Sequence, residues 1–82
     1  MTPRLIRRLR KRVRPLGKEA ATYRFTRAEK EGLAELVYSY GRRGRRTSEN
    51  ELVRIGLNWL LADYALRGEE SVLHRTLKAL HD

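Results

Sequence analysis

A chain of 82 residues with no cysteine can build one small hydrophobic core but cannot brace it with a disulfide or a thiolate metal site, so oligomerisation is the expected source of extra core. Its 19 Lys and Arg against 10 Asp and Glu leave a net charge of +9, which favours an anionic partner such as nucleic acid. No apolar run approaches the roughly 20 residues that span a bilayer, and residues 1–18 lack the apolar stretch of a secretory signal, so a cytoplasmic protein is expected.

The charge is concentrated at one end. Residues 1–18 carry Arg4, Arg7, Arg8, Arg10, Lys11, Arg12, Arg14 and Lys18 with no acid, +8 in all, while residues 19–82 balance to +1. Eight cations with nothing to oppose their repulsion read as a mobile arm that meets phosphates nonspecifically. Leu5, Leu9, Val13 and Leu16 recur at helical spacing between the arginines, so on a partner the arm is expected to form a short amphipathic helix, interrupted before Pro15. Such a composition also allows a solubilising tail or an organellar transit peptide.

After Gly17 the pattern changes. Ala20 to Thr26 is the one stretch with the two-residue period of a strand, placing Ala21, Tyr23 and Phe25 on one face and Ala20, Thr22 and Arg24 on the other. No second strand pattern exists to pair with it, so its backbone groups need a partner from another copy. The expectation is a two-stranded antiparallel ribbon across a homodimer, of a size that fits the major groove of B-DNA.

Thr26-Arg27-Ala28-Glu29 matches a capping box, so a helix is expected from Arg27, with Leu33, Leu36, Val37 and Tyr40 as its apolar stripe, Arg27 and Glu31 as a surface ion pair, and Gly41 as its left-handed terminator. A connector with Arg42, Arg43, Arg45 and Arg46 leads to a second box, Ser48-Glu49-Asn50-Glu51. The helix that follows is apolar on almost every side through Leu52, Val53, Ile55, Leu57, Trp59, Leu60, Leu61, Tyr64 and Leu66, which implies burial against both its own chain and a second subunit. Gly56, costing up to about 1 kcal/mol against alanine in mid-helix, suggests a close helix crossing. Gly68 is the expected terminator, and Ser71 to Leu80 a short further helix with Val72, Leu73, Leu77 and Leu80 on one face.

Strand, helix, capped loop and very apolar second helix together resemble the ribbon-helix-helix family of DNA-binding dimers over residues 20–66, most specifically at Ser48-Glu49-Asn50-Glu51-Leu52-Val53-Arg54-Ile55-Gly56-Leu57. Asn50 stands where a second serine is frequent and Gly56 where alanine is usual. The resemblance implies a mainly α fold with one strand: a basic arm at 1–18, an intertwined ribbon-helix-helix domain at 19–67 and a short helical segment at 68–82. It implies base contacts from Ala20, Thr22 and Arg24, of which Arg24 can donate two hydrogen bonds to guanine. It also implies phosphate contacts at the start of the second helix, from Thr47, Ser48 and Asn50 with Arg45 and Arg46 beside them. The expected dimer core is Tyr23, Phe25, Leu33, Val37, Leu52, Val53, Gly56, Leu57, Trp59 and Leu60.

The function so implied is sequence-specific binding of double-stranded DNA by a homodimer, with cooperative assembly on repeated sites, as a transcriptional repressor or a plasmid-partition protein associated with nucleoid or plasmid. The arm looks most like a partition protein's tail, whose basic residues, here Arg4, Arg7, Arg8, Arg10, Lys11, Arg12 and Arg14, would contact a partition ATPase as well as DNA. The alternative is an antitoxin whose residues 71–82 contact a toxin. His74 and His81 have no metal-ligand spacing, and no phosphate loop, catalytic triad or cysteine nucleophile is present, so neither cofactor, metal nor catalysis is expected.

Overall fold

In the computed structural model, residues 3–15, 17 and 19–82 are described. Four α-helices follow one another: α1 over Pro3–Val13, α2 over Arg27–Arg42, α3 over Glu49–Arg67 and α4 over Val72–His81, with a single 3₁₀ turn at Gly68–Glu70 before α4. They belong to two compact units, one of residues 16–53 and one that gathers residues 1–15 and 54–82.

In the unit of residues 16–53 the start of α2 is set by its own side chains. Thr26 is extended and its hydroxyl accepts from the Glu29 N–H at 3.1 Å, while the Thr26 N–H donates to the Glu29 carboxylate at 2.8 Å. Both halves of the capping box are therefore made, an arrangement worth about 1 kcal/mol over alanine at the cap. The helix outlasts Gly41, which stays helical; the left-handed glycine is Gly44, at φ 79°. α2 thus runs through Arg42, and the Arg43 and Gly44 N–H groups close its last carbonyls at Tyr40 and Gly41.

The second box is only half made. The Ser48 hydroxyl accepts from the Glu51 N–H at 3.0 Å, but the Glu51 carboxylate accepts from the Thr47 hydroxyl at 2.7 Å instead of reaching back to Ser48. A neighbouring hydroxyl has taken the acceptor that the box would use.

Ala20 to Arg24 and on to Thr26 form no strand, and none exists among the described residues. The protein is all-helical there, not a ribbon-helix-helix fold. The reason lies in pairing: alternation selects which face a strand would bury, but a strand persists only where its N–H and C=O groups meet another. This chain offers no second extended segment, so residues 20–26 approach the Thr26 cap without regular structure.

The other unit is held by α1, which sequence reasoning places in an unstructured arm. Its helix ends at Val13, two residues before Pro15, as the proline's restriction on the preceding residue requires. Leu5 and Leu9, one turn apart, are the only apolar side chains buried among the described residues, each 8% exposed. Leu16, placed in the same series by its spacing, and Lys18 of the arm lie outside the described residues. α1 is tied down at its C-terminal end by Arg54 of α3, whose guanidinium donates to the carbonyls of Val13 (2.9 Å), Arg12 (3.1 Å) and Pro15. Carbonyls at the end of a helix have no intrahelical donor, and a cation there also complements the helix dipole.

Gly68 ends α3 at φ 54°, as expected. The α3–α4 joint is then locked by polar groups. Asp63, 4% exposed, accepts from the Val72 N–H at 2.8 Å and lies 3.6 Å from the Arg67 guanidinium. Ser71, fully buried, caps α4 by accepting from the His74 N–H at 3.1 Å, and Arg67 donates to the Glu70 carbonyl at 2.8 Å. A Cβ added at Gly56 would meet no neighbour within 4 Å, so this glycine marks no close helix crossing within its own unit.

Candidate nucleic-acid interface

α1 carries no acidic residue, and its cations fall into a pattern once the helix is formed. Arg4, Arg7, Lys11 and Arg14 repeat at three, four and three residues, which keeps them in one row along the axis. With Arg8 and Arg10 they line one open hollow. From Arg4 to Arg14 the row is about 15 Å long at 1.5 Å per residue. All of these side chains are exposed, and among the described residues none is ion-paired with a carboxylate. Arg12 stands apart, beside Arg8, Asn58, Leu61, Ala62 and Ala65 in a smaller recess.

The positioning of this row is the contribution of Arg54, which sequence reasoning includes only as part of a motif. Nothing in its spacing flags it, because its partners are main-chain carbonyls 39 to 42 residues away. Arg54→Leu should therefore release α1 without altering its charge. Hydrogen bonds from charged donors are worth about 1.5–3 kcal/mol, so we expect lower helicity and faster tryptic cleavage within residues 4–14. Cleavage at the native rate would show that the clamp does not hold α1.

In the unit of residues 16–53, a second cationic surface follows the end of α2. The Arg42 guanidinium lies 5.7 Å from the Tyr38 ring centre and that of Arg43 lies 5.5 Å from Tyr40, a cation–π geometry. Arg45 and Arg46 are exposed just beyond. Sequence reasoning places Arg42 and Arg43 in a connector and misses the rings that carry them, although an aromatic four or three residues before an arginine on a helix is a readable signal.

At the start of α3, Glu49 would repel a phosphate, but Lys30 of α2 pairs with it. Arg27 and Glu31, the pair expected on α2, form no ion pair. Ser48 and Asn50 are exposed and Thr47 is half-buried. The Ser48 hydroxyl is already engaged as a cap, so what it leaves for a phosphate is the N–H groups of the first turn.

Ala20, Thr22 and Arg24 are exposed, but the ribbon that would present them side by side is not formed. Of the residues expected in a dimer core, Tyr23 and Phe25 are 72% and 43% exposed and Leu57 is 52% exposed. Leu33, Val37, Leu52, Val53, Trp59 and Leu60 are half-buried, and Gly56 is exposed. Ala21, Thr22, Tyr23 and Phe25 do come together with Leu33, Asn50 and Val53 around one shallow groove. Among the described residues no group of three or more His, Asp or Glu could hold a metal ion, and no helix is long and apolar enough to cross a membrane.

Compared with protein-family models, curated proteins and solved structures, the chain matches none.

Proposed function

We propose that the protein binds double-stranded DNA through its phosphates, with the cationic row of α1 as the principal contact. The observation that carries this reading is the row itself: six Lys and Arg side chains around one hollow, exposed and without carboxylate partners among the described residues. Duplex DNA carries one charge per about 1.7 Å of its axis. Along the one strand that a row can follow the spacing is about 3.4 Å, so a row about 15 Å long meets on the order of four phosphates, one for each of Arg4, Arg7, Lys11 and Arg14.

The same helix argues against an anionic membrane as the target. An interfacial helix inserts its apolar face into the lipid, and in α1 that face is spent, with Leu5 and Leu9 buried and only Ile6 left half exposed. Arg42, Arg43, Arg45 and Arg46 at the end of α2 add a second set of phosphate donors. Repression of a promoter and binding of a partition site both require this activity, and the reading extends to either.

Titrating the full chain into a labelled duplex of about 20 base pairs, across a salt series, tests it. Binding should fall steeply with salt, with a slope of roughly −0.9 per phosphate neutralised. Unlabelled duplex should compete better than vesicles rich in anionic lipid. Tighter binding to the vesicles, or no binding to duplex at low salt, would overturn the reading.

A further inference from the structure

We infer that the C-terminal end of α2, built around Tyr38 and Arg42, stacks an unpaired base of a single-stranded nucleic acid. The two side chains are one turn apart on the helix, and the Arg42 guanidinium lies over the Tyr38 ring, 5.7 Å from its centre. The contact favours one orientation of the ring yet leaves Tyr38 67% exposed, so ring surface is open to a second planar group. An aromatic face beside a guanidinium is the combination that receives a nucleobase, because every base has a π-face and the phosphates flanking it meet the cation. In a duplex those π-faces are covered by neighbouring bases and are freed only at the cost of unstacking, so this face selects an unpaired strand.

The surroundings of the ring separate this site from α1. The hollow around Tyr38 is lined also by Glu35, Ser39, Arg42 and Arg43 and has a volume of about 440 Å³, within the range of about 300–1,000 Å³ that holds small ligands. The hollow on α1 is lined by Lys and Arg alone, a surface that suits phosphates. At Tyr38 the exposed Glu35 carboxylate opposes a phosphate inside the hollow, but it can accept a hydrogen bond from the amino group of a base such as cytosine. The Ser39 hydroxyl adds a group that donates or accepts. A base therefore suits the hollow, and its phosphates suit the arginines that follow it: Arg43, held 5.5 Å from the Tyr40 ring centre, and the exposed Arg45 and Arg46 beyond the helix end.

This inference does not depend on duplex binding through α1, and one set of titrations separates the two. The probes are oligodeoxycytidylate and oligocytidylate of about 12 nucleotides, a length typical of single-strand sites, and an abasic chain with the same number of phosphates and no bases. Each is titrated with the full chain at one salt concentration, beside the duplex. The base-bearing strands should bind more tightly than the abasic chain by roughly five- to 150-fold for each base stacked, the tighter of the two naming the strand as DNA or RNA.

Tyr38→Ala should remove this preference, whereas Tyr38→Phe, which keeps the ring, should retain it. Tyr38 is exposed and alanine favours helix, so the fold should persist in both, and binding to duplex should be unchanged. Equal binding of the abasic and both base-bearing chains would overturn the stacking site, even where duplex binds as proposed above. So would a base preference that survives Tyr38→Ala. A preference that Tyr38→Ala removes, in a chain that binds no duplex, would uphold this site and overturn the reading of α1 alone.

Discussion

If α1 is the DNA contact proposed above, replacing Arg4, Arg7, Arg8 and Lys11 together by glutamine should lower the affinity for duplex DNA of any sequence by roughly a hundred- to a thousandfold near physiological salt, and make the salt slope shallower by about 3.6. The size follows from counterion release, since each cation that neutralises a phosphate frees about 0.9 of a condensed ion. Glutamine keeps almost the helix propensity of arginine and lysine, and Leu5, Leu9 and the Arg54 clamp are untouched. α1 should therefore persist, which circular dichroism checks. Unchanged slope in this variant would remove α1 from the interface, whatever the rest of the chain does. Loss on one sequence only would mean that these side chains read bases, not phosphates.

A large effect on the stability of the α3–α4 joint should come from Asp63→Ala. Asp63 is almost wholly buried, and its carboxylate is the acceptor for the Val72 N–H at the first turn of α4. Alanine leaves that donor without a partner, at about 1–3 kcal/mol. In a domain of this length, 1 kcal/mol moves Tm by about 4–8 °C, so the midpoint should fall by roughly 8–16 °C for a loss near the middle of that range. Asp63→Asn provides the contrast. Its amide oxygen can still accept from Val72, and what it gives up is the pair with a half-exposed Arg67, which screening by water makes worth little. Equal losses in the two variants would place the stabilisation in the ion pair and not in the cap.

These two sites also illustrate how unevenly the sequence exposes its own design. The cations of α1 are plain from composition, and so is the Leu5–Leu9 spacing that makes them one face of a helix. Their self-repulsion suggests an arm without structure, because composition counts charges and cannot see a clamp whose acceptors are peptide carbonyls. Asp63 is legible only as the lone acid in a leucine-rich run. Its role depends on a glycine turn bringing Val72 back over α3, and a turn's direction is not written in the pattern of polar and apolar residues.

The ends of the helices are readable where the signal is local. Thr26 with Glu29, Pro15 with the end of α1, and Gly68 with the end of α3 act within a few residues, and all three hold. Gly41 fails for a reason of the same kind: Gly44, three residues on, offers the same left-handed conformation at a point where the Arg43 and Gly44 N–H groups can still close the helix. The Ala20–Thr26 stretch fails for a different one. Alternation specifies a face, whereas a strand requires a second backbone.

Sequence alone determined the location of the charge, the helical segments that became α2, α3 and α4, and the caps at Thr26 and Ser48, because each depends on side chains within about one turn of one another. Tertiary structure alone decided that the basic segment is a held helix, that residues 20–26 are not a strand, and that Asp63 caps α4 from within α3. Those outcomes turn on which carbonyl a distant guanidinium reaches and which backbone groups find partners, and such pairings exist only once the chain has folded back on itself.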